Sequence, residues 1–451
     1  MTRRTAFAAA MAAFVVAGGD AQAAGSGETY GHDAVSLGRA GAIVADDSGP
    51  AAAFDNPAAL ARLKGPALHS GFQLAMPQLS ITTDRQLAAD DPLRPAIPAP
   101  VAGFAVGFGV PLDLIVKDRL SIGLSAYLPS VALVRARAYD PARPSYYVYD
   151  SATEHYEIFA GAGLKLTDWL SLGIGTRLGA GQGGEATLVL DPVRNRFTRQ
   201  ELDTSQFTVN SLLAGVLVGP IALGTDDVKA RAAFVFRDRS SFDVILPASL
   251  TLGGLDVGLV LDLVTLSNFS PRVWTGGVQL DLFEHTEVAL DVQYAQWSEA
   301  PSPFLKVSND ISGEGLARLG FGEALDAPGP GQERVISPGF VDTVNVRAAV
   351  ESEVQDGLVV RGGYGFRPTP VPDQTSATNI VDNTSHTLAI GAGVRADLPL
   401  VAERPFWFNV SYQAVLMAPR RGEKTSARDA VGSWESTGAV HHVGIELRYF
   451  W

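Results

Sequence analysis

The sequence contains no cysteine. That excludes a disulfide framework and any thiolate-bound zinc or iron–sulfur centre. Charge is sparse: Asp, Glu, Lys and Arg make up 18% of the 451 residues, against 46% apolar ones. Such a composition excludes intrinsic disorder, which needs high charge and little to bury. Positive charge is the scarcer sign, with a formal net charge of −13, so no nucleic-acid partner is expected. Beyond residue 23 no run of about 20 apolar residues exists to cross a bilayer as a helix. The most apolar stretch, 246–266, is broken by Pro247, Asp256 and Asp262. No Gly-x-Ser-x-Gly elbow occurs, and no pair among the seven His has the spacing of a helical metal site. His441 and His442 are adjacent and point to opposite faces of a strand. Asp46-Asp47 reads as a solvated helix start rather than a cation site. No catalytic residue, metal or cofactor is therefore expected, and the chain is not read as an enzyme.

What is present begins with a targeting pattern. Arg3 and Arg4 precede an apolar run from Thr5 to Val16, and Ala21-Gln22-Ala23 is a small-x-small cleavage site. Residues 1–23 read as a secretory signal peptide. An exported chain without cysteine fits the bacterial periplasm or outer membrane.

The remainder is dominated by period-2 alternation, the mark of strands with two unlike faces. Phe406, Phe408, Val410, Tyr412, Ala414 and Leu416 alternate with Trp407, Asn409, Ser411 and Gln413. Val288, Leu290, Val292 and Tyr294 alternate with Ala289, Asp291 and Gln293. Residues 344–351 and 443–451 behave alike. Such segments fall at 66–82, 98–112, 119–136, 153–166, 169–190, 203–219, 228–246, 272–284, 286–300, 340–353, 356–369, 384–398, 404–418 and 438–451. The pieces 247–271 and 301–339 read as irregular functional loops, the second with a short helix at Gly313 to Ala324.

Alternating faces suit a soluble sandwich or a membrane barrel. The barrel is favoured because an open sheet this large curls or splits, because short turns alternate with longer polar loops, and because aromatic residues gather near strand ends. These include Trp169, Trp274, Trp297, Phe406 to Phe408 and Tyr449 to Trp451. The fold class is an all-β membrane protein, a closed antiparallel transmembrane β-barrel over 65–451. Residues 24–64 lack alternation and read as short helices compact enough to fill a lumen. Asp47 or Ser48 is placed to cap one helix, and Asn56 the next, with Pro57 at its first position. Small residues such as Gly161-Ala162-Gly163 and Gly391-Ala392-Gly393 do not open a helix, so they read as room for that segment or a ligand rather than as phosphate loops.

These motifs carry a resemblance. Gly38-Arg39-Ala40, Ala45-Asp46-Asp47 and Asn56-Pro57-Ala58 come first. Asp291-Val292-Gln293-Tyr294 leads to Trp297-Ser298, and Arg361-Gly362-Gly363-Tyr364 is followed by Pro370-Val371-Pro372-Asp373 and Asp382. Trp451 ends the series. In this order the chain resembles the FadL-type outer-membrane transporters of long-chain fatty acids and other hydrophobic compounds, including the TodX-like aromatic transporters. The resemblance implies a 14-stranded barrel with an N-terminal hatch in the lumen, capture of ligand at the outer loops, an internal apolar pocket, and lateral release at a kinked third strand. Its hatch signature falls on Asn56, Pro57 and Ala58, and Gly123 and Pro129 are the candidates for the kink. Phe366-Arg367-Pro368 departs from the family, which often carries acids there.

Arg135, Arg137, Arg177, Arg347 and Arg361 are the candidate head-group ligands, if they face the lumen. Trp451 is the candidate insertion signal. Expected partners are a hydrophobic small molecule, outer-membrane lipid and lipopolysaccharide, and the barrel assembly machinery, with the protein itself a monomer. The alternatives are a general diffusion porin, an outer-membrane lipase or protease, and a soluble secreted adhesin.

Overall fold

A computed structural model describes residues 32–46, 49–113, 118–130, 139–149, 156–191, 196–252, 257–283, 285–304, 306–312, 337–376, 378–397, 403–425 and 429–451. Side chains are described outside 180–209, 225–226, 242–268 and 305–312. Residues 1–23, expected to be a signal peptide, the cap candidates Asp47 and Ser48, Arg135, Arg137 and the short helix expected at Gly313 to Ala324 lie outside the described residues.

Fourteen antiparallel strands close a ring. They are β1 (Ala67–Thr83), β2 (Val101–Pro111), β3 (Leu120–Pro129), β4 (Glu157–Lys165), β5 (Leu170–Asp191), β6 (Arg196–Leu223) and β7 (Thr225–Arg237). Then come β8 (Arg272–Leu282), β9 (Thr286–Gln296), β10 (Thr343–Gln355), β11 (Leu358–Arg367), β12 (Ser385–Ala396), β13 (Phe406–Gly422) and β14 (Trp434–Phe450). Each pairs with the next, and β1 closes on β14 from Ala67 opposite Phe450 to Thr83 opposite Trp434. Closure leaves no edge strand, which a bilayer would not tolerate.

The alternation sets the two surfaces of the wall. Leu388 and Ile390 on β12 are 52% and 63% exposed on the outside, whereas Glu446 on β14 is 5% exposed on the inside. Val288, Leu290, Val292 and Tyr294 all face outward, with Ala289 and Asp291 buried between them. Such a surface is stable only against lipid, because this much contiguous apolar area in water drives association.

Apart from 192–195, between the long strands β5 and β6, connections alternate in length around the ring. Those at 112–119, 166–169, 224, 283–285, 356–357 and 397–405 are short, and those at 84–100, 130–156, 238–271, 297–342, 368–384 and 423–433 lie at the opposite end. Asp356-Gly357 makes a two-residue turn, with Gly357 at φ +75°, a backbone region open to glycine without strain.

Residues 247–271 are not the irregular loop expected from Pro247 and the scattered glycines. Ser240–Leu252 and Val257–Ser270 form an antiparallel hairpin, and its first strand lies parallel to the outer half of β5. Lys306–Ser312 adds to the second strand. The apolar run there is therefore sheet that continues above the wall. Over the mouth, Ser145–Tyr146 pairs with Ile380–Val381, tying the 130–156 and 368–384 loops together. Tyr139, Tyr147, Phe304, Phe340 and Trp434 pack beneath that pair.

Within the barrel lie helix α1 (Ala34–Gly38), helix α2 (Ala52–Asp55) and a 3-10 helix, Pro57–Arg62. Helix α1 rests against β12 to β14 and the 3-10 helix against β3 to β6, so the segment crosses the lumen from wall to wall.

Candidate functional site

The 3-10 helix is seated on a patch without side chains. Asn56 caps it: its Oδ1 accepts from Ala58 N at 3.0 Å, and its amide donates to Val44 O at 3.0 Å. Pro57 occupies the first position, as the sequence pattern predicts. Beneath it, a Cβ on Gly173 would strike the backbone of Pro57 and Ala58, and one on Gly215 would strike the Asn56 amide oxygen. Gly161 and Gly163 meet Pro57 and Ala61, while Gly109 and Gly123 meet Leu63 and Leu60. The glycines of β2 to β6 are thus the seat of the hatch, because only a bare backbone lets another backbone approach so closely. On the opposite wall, Gly363 lies under Arg39 and Ala40, and Gly391 lies under Gly38.

Charges hold the same segment. Buried Arg39 donates to Asp46 at 3.2 Å and to Gln279 at 3.0 Å, with Glu287 and Glu351 at 3.6 and 3.8 Å. A buried guanidinium is tolerated because several acceptors replace its water. Asp291 accepts from Ile43 N at 2.8 Å and Val44 N at 3.0 Å. Asp33 caps α1 through Ser36 N at 2.6 Å and pairs with Arg448 at 2.6 Å. Glu446 accepts from Ala34 N at 2.8 Å, and Ser411 Oγ donates to Ala34 O at 2.5 Å. His32 stacks on Phe54 with ring centroids 4.6 Å apart. Burial pushes its imidazole down to about 4, against the pull of Asp33, so it stacks as a neutral ring.

On the long-loop side of the hatch is a cavity of about 170 Å³. Its apolar lining includes Phe54, Tyr147, Val235, Phe269, Trp297 and Val415. Arg237, Arg347, Arg367, Gln293 and Asn345 supply polar groups to the same space. Trp297 therefore faces inward, packed on Phe340 at 5.9 Å, and is not part of an outer aromatic girdle. Trp274, stacked on Tyr294 at 5.7 Å, has the aromatic neighbours such a girdle needs.

The expected head-group ligands separate. Arg347 lines the cavity, with its guanidinium 3.5 Å from Gln293 Oε1. Arg177 is committed to an ion pair with Glu157, both fully buried. Arg361 pairs with Glu351 at 2.7 Å and donates to Asn409 at 2.9 Å, away from the cavity. Arg367 lines the cavity although it breaks the family pattern, and it is held by Asp382 and the Tyr149 hydroxyl at 2.9 and 2.8 Å. Arg237 was not singled out; it lies over the Phe54 ring at 4.7 Å and donates to Phe54 O at 2.7 Å. Its only sequence signal is a charge that follows the apolar run Ala232 to Phe236 at the end of its strand.

The third strand shows no break at Gly123, which pairs with Gly109 on β2 and Gly161 on β4 and is covered by Leu60. The strand ends at Pro129, opposite Gly103. Trp451 lies just past β14, its N–H donating to Pro66 O at 2.9 Å and its ring edge-on to Tyr449 at 4.6 Å.

Several solved structures share this architecture. A FadL homologue of Pseudomonas aeruginosa is 14% identical, with a TM-score of 0.57, covering 92% of this chain and 96% of that one. The toluene transporter TodX of P. putida is 12% identical at a TM-score of 0.55, covering 94% and 99%. The toluene transporter TbuX of Ralstonia pickettii is 13% identical at 0.51, covering 94% and 100%. No protein-family model and no curated protein matches the chain. The FadL-type fold expected from the motifs is the fold observed.

Proposed function

We propose that the chain is a FadL-type channel of the Gram-negative outer membrane that takes up hydrophobic compounds passively, without catalysis. One observation carries this reading: the lumen is crossed by a hatch seated on bare glycine backbone, and an aromatic-lined cavity lies between that hatch and the outer loops. A water-filled pore gives an apolar molecule no help, since each methylene favours an apolar phase by about 0.8 kcal/mol. A pocket with an aromatic wall behind an aromatic mouth lowers that cost step by step.

In this reading the ligand enters between the long loops, rests against Phe269 and Trp297, and turns any acidic head group towards Arg347. Release is lateral, near β3. Leu60 and Leu63 cover Gly123 and Gly109 there, so the 3-10 helix must withdraw before the wall can pass a ligand. The chain works as a monomer, delivered by a cleaved leader at 1–23 and inserted by the barrel assembly machinery through its last strand and Trp451. Lipid and lipopolysaccharide surround it. Fatty acids and monoaromatic compounds are the candidate cargoes.

The test combines two measurements on purified protein. Liposomes bearing it should not swell in small sugars, and mass spectrometry of the detergent extract should find apolar molecules retained in the lumen. Rapid sugar flux would instead identify a diffusion porin.

A further inference from the structure

The start of the hatch meets the barrel wall at a buried cluster that transport does not use. Asp33 from the hatch, His69 from β1 and Glu446 from β14 are each almost fully buried. One ligand atom from each, an imidazole nitrogen and two carboxylate oxygens, lies within 4.8 Å of the others. The three positions are far apart in sequence, which is why no spacing motif reveals them.

His69 is the informative member. Its exposure is 0%, and neither ring nitrogen has a hydrogen-bond partner among the described residues. An unpartnered buried imidazole costs free energy, because neither ring nitrogen recovers the hydrogen bond it makes in water. The wall is shaped around the ring: His69 stands opposite Gly107, where a Cβ would strike the imidazole. The carboxylates, by contrast, are oriented. Asp33 accepts from Ser36 N and Arg448, and Glu446 accepts from Ala34 N and Arg448. Each carboxylate oxygen keeps a second lone pair, and the single charge of Arg448 leaves the two acids with net negative charge.

We propose that Asp33, His69 and Glu446 bind a borderline divalent transition ion, such as Zn²⁺, which joins the hatch to the β1–β14 seam. One nitrogen and two carboxylate oxygens are a donor set suited to such an ion. Tetrahedral ligand bonds of about 2.0–2.2 Å hold donors roughly 3.3–3.6 Å apart, so side-chain shifts on the order of an ångström close the site. The ion supplies the partner that His69 lacks. It also adds an anchor at the hatch start, at the seam beside the strand where the glycine seat begins.

The test uses the untagged full chain in detergent, stripped with chelator, incubated with zinc chloride alone and desalted. Elemental analysis should find about one zinc per barrel, the stoichiometry of a single three-ligand site. His69→Gln and Glu446→Gln should lose it, while His386→Ala and His441→Ala, on the outer surface, should keep it. No retained zinc in the wild-type protein overturns the proposal, as does equal retention by folded His69→Gln. Should His69→Gln fail to give the compact unboiled gel band of a folded barrel, X-ray absorption of the zinc-loaded wild type decides. One imidazole among the donors supports the site, and an all-oxygen shell overturns it.

Discussion

The side-chain oxygen of Asn56 occupies the space that a Cβ on Gly215 would fill. The glycine is a socket, and Asn56 is the peg that also caps the 3-10 helix and ties it to Val44. Gly215→Val or Gly173→Val should therefore eject the hatch and leave the barrel standing. The expected result is sugar flux in liposome swelling that rises towards that of an open pore, with the heat-modifiable gel band retained. A folded variant that stays sugar-tight would contradict the seat.

Asn56→Ala with Pro57→Ala removes the cap and the preset first turn, a loss of about 1 kcal/mol for the cap alone. Uptake of a labelled fatty acid or of toluene should fall while folding persists. Normal uptake by the folded double variant would remove Asn56 from the transport mechanism.

Arg39→Met leaves the buried Asp46 without its guanidinium and removes a partner from the half-buried Glu287 and Glu351. Stripping one partner from a buried ion cluster costs about 3–5 kcal/mol. Unfolding in detergent, followed by gel mobility against temperature, should shift markedly downward. An unchanged transition would mean the carboxylates reorganise at no cost.

Arg347→Leu separates cargoes by head group. Losing one hydrogen bond to a charged group costs about 1.5 kcal/mol or more, which is roughly tenfold in binding. Uptake of an acid should fall by that order and uptake of a neutral hydrocarbon should not. Equal loss for both would make Arg347 structural.

Ile390→Arg places a charge on the most exposed part of the lipid face. The cost near the bilayer centre is about 2–4 kcal/mol. Urea titration of the protein folded into vesicles measures it directly, and an effect close to zero would show that β12 does not face lipid.

Much of the wall was legible in the sequence. All the expected strand segments correspond in order to the barrel staves, because a lipid-exposed strand must alternate to satisfy oil on one side and polar contacts on the other. The Asn56-Pro57 cap was legible for the same local reason. The 240–270 hairpin was not, since above the membrane no lipid enforces alternation and its apolar residues carry no period. The arginines were visible as residues but not as roles. Arg177, Arg347 and Arg361 look alike along their strands, and only the partner on the neighbouring stave distinguishes an ion pair from a cavity wall.

The linear order of residues determined that this chain is a closed, lipid-facing sheet preceded by a compact plug, because periodicity and caps act over a few neighbours. What the plug touches was decided by the tertiary structure alone. The glycines of β2 to β6, the acids around Arg39 and the meeting of Asp33, His69 and Glu446 join positions up to hundreds of residues apart. Their proximity follows from ring closure and strand register, which no local pattern encodes.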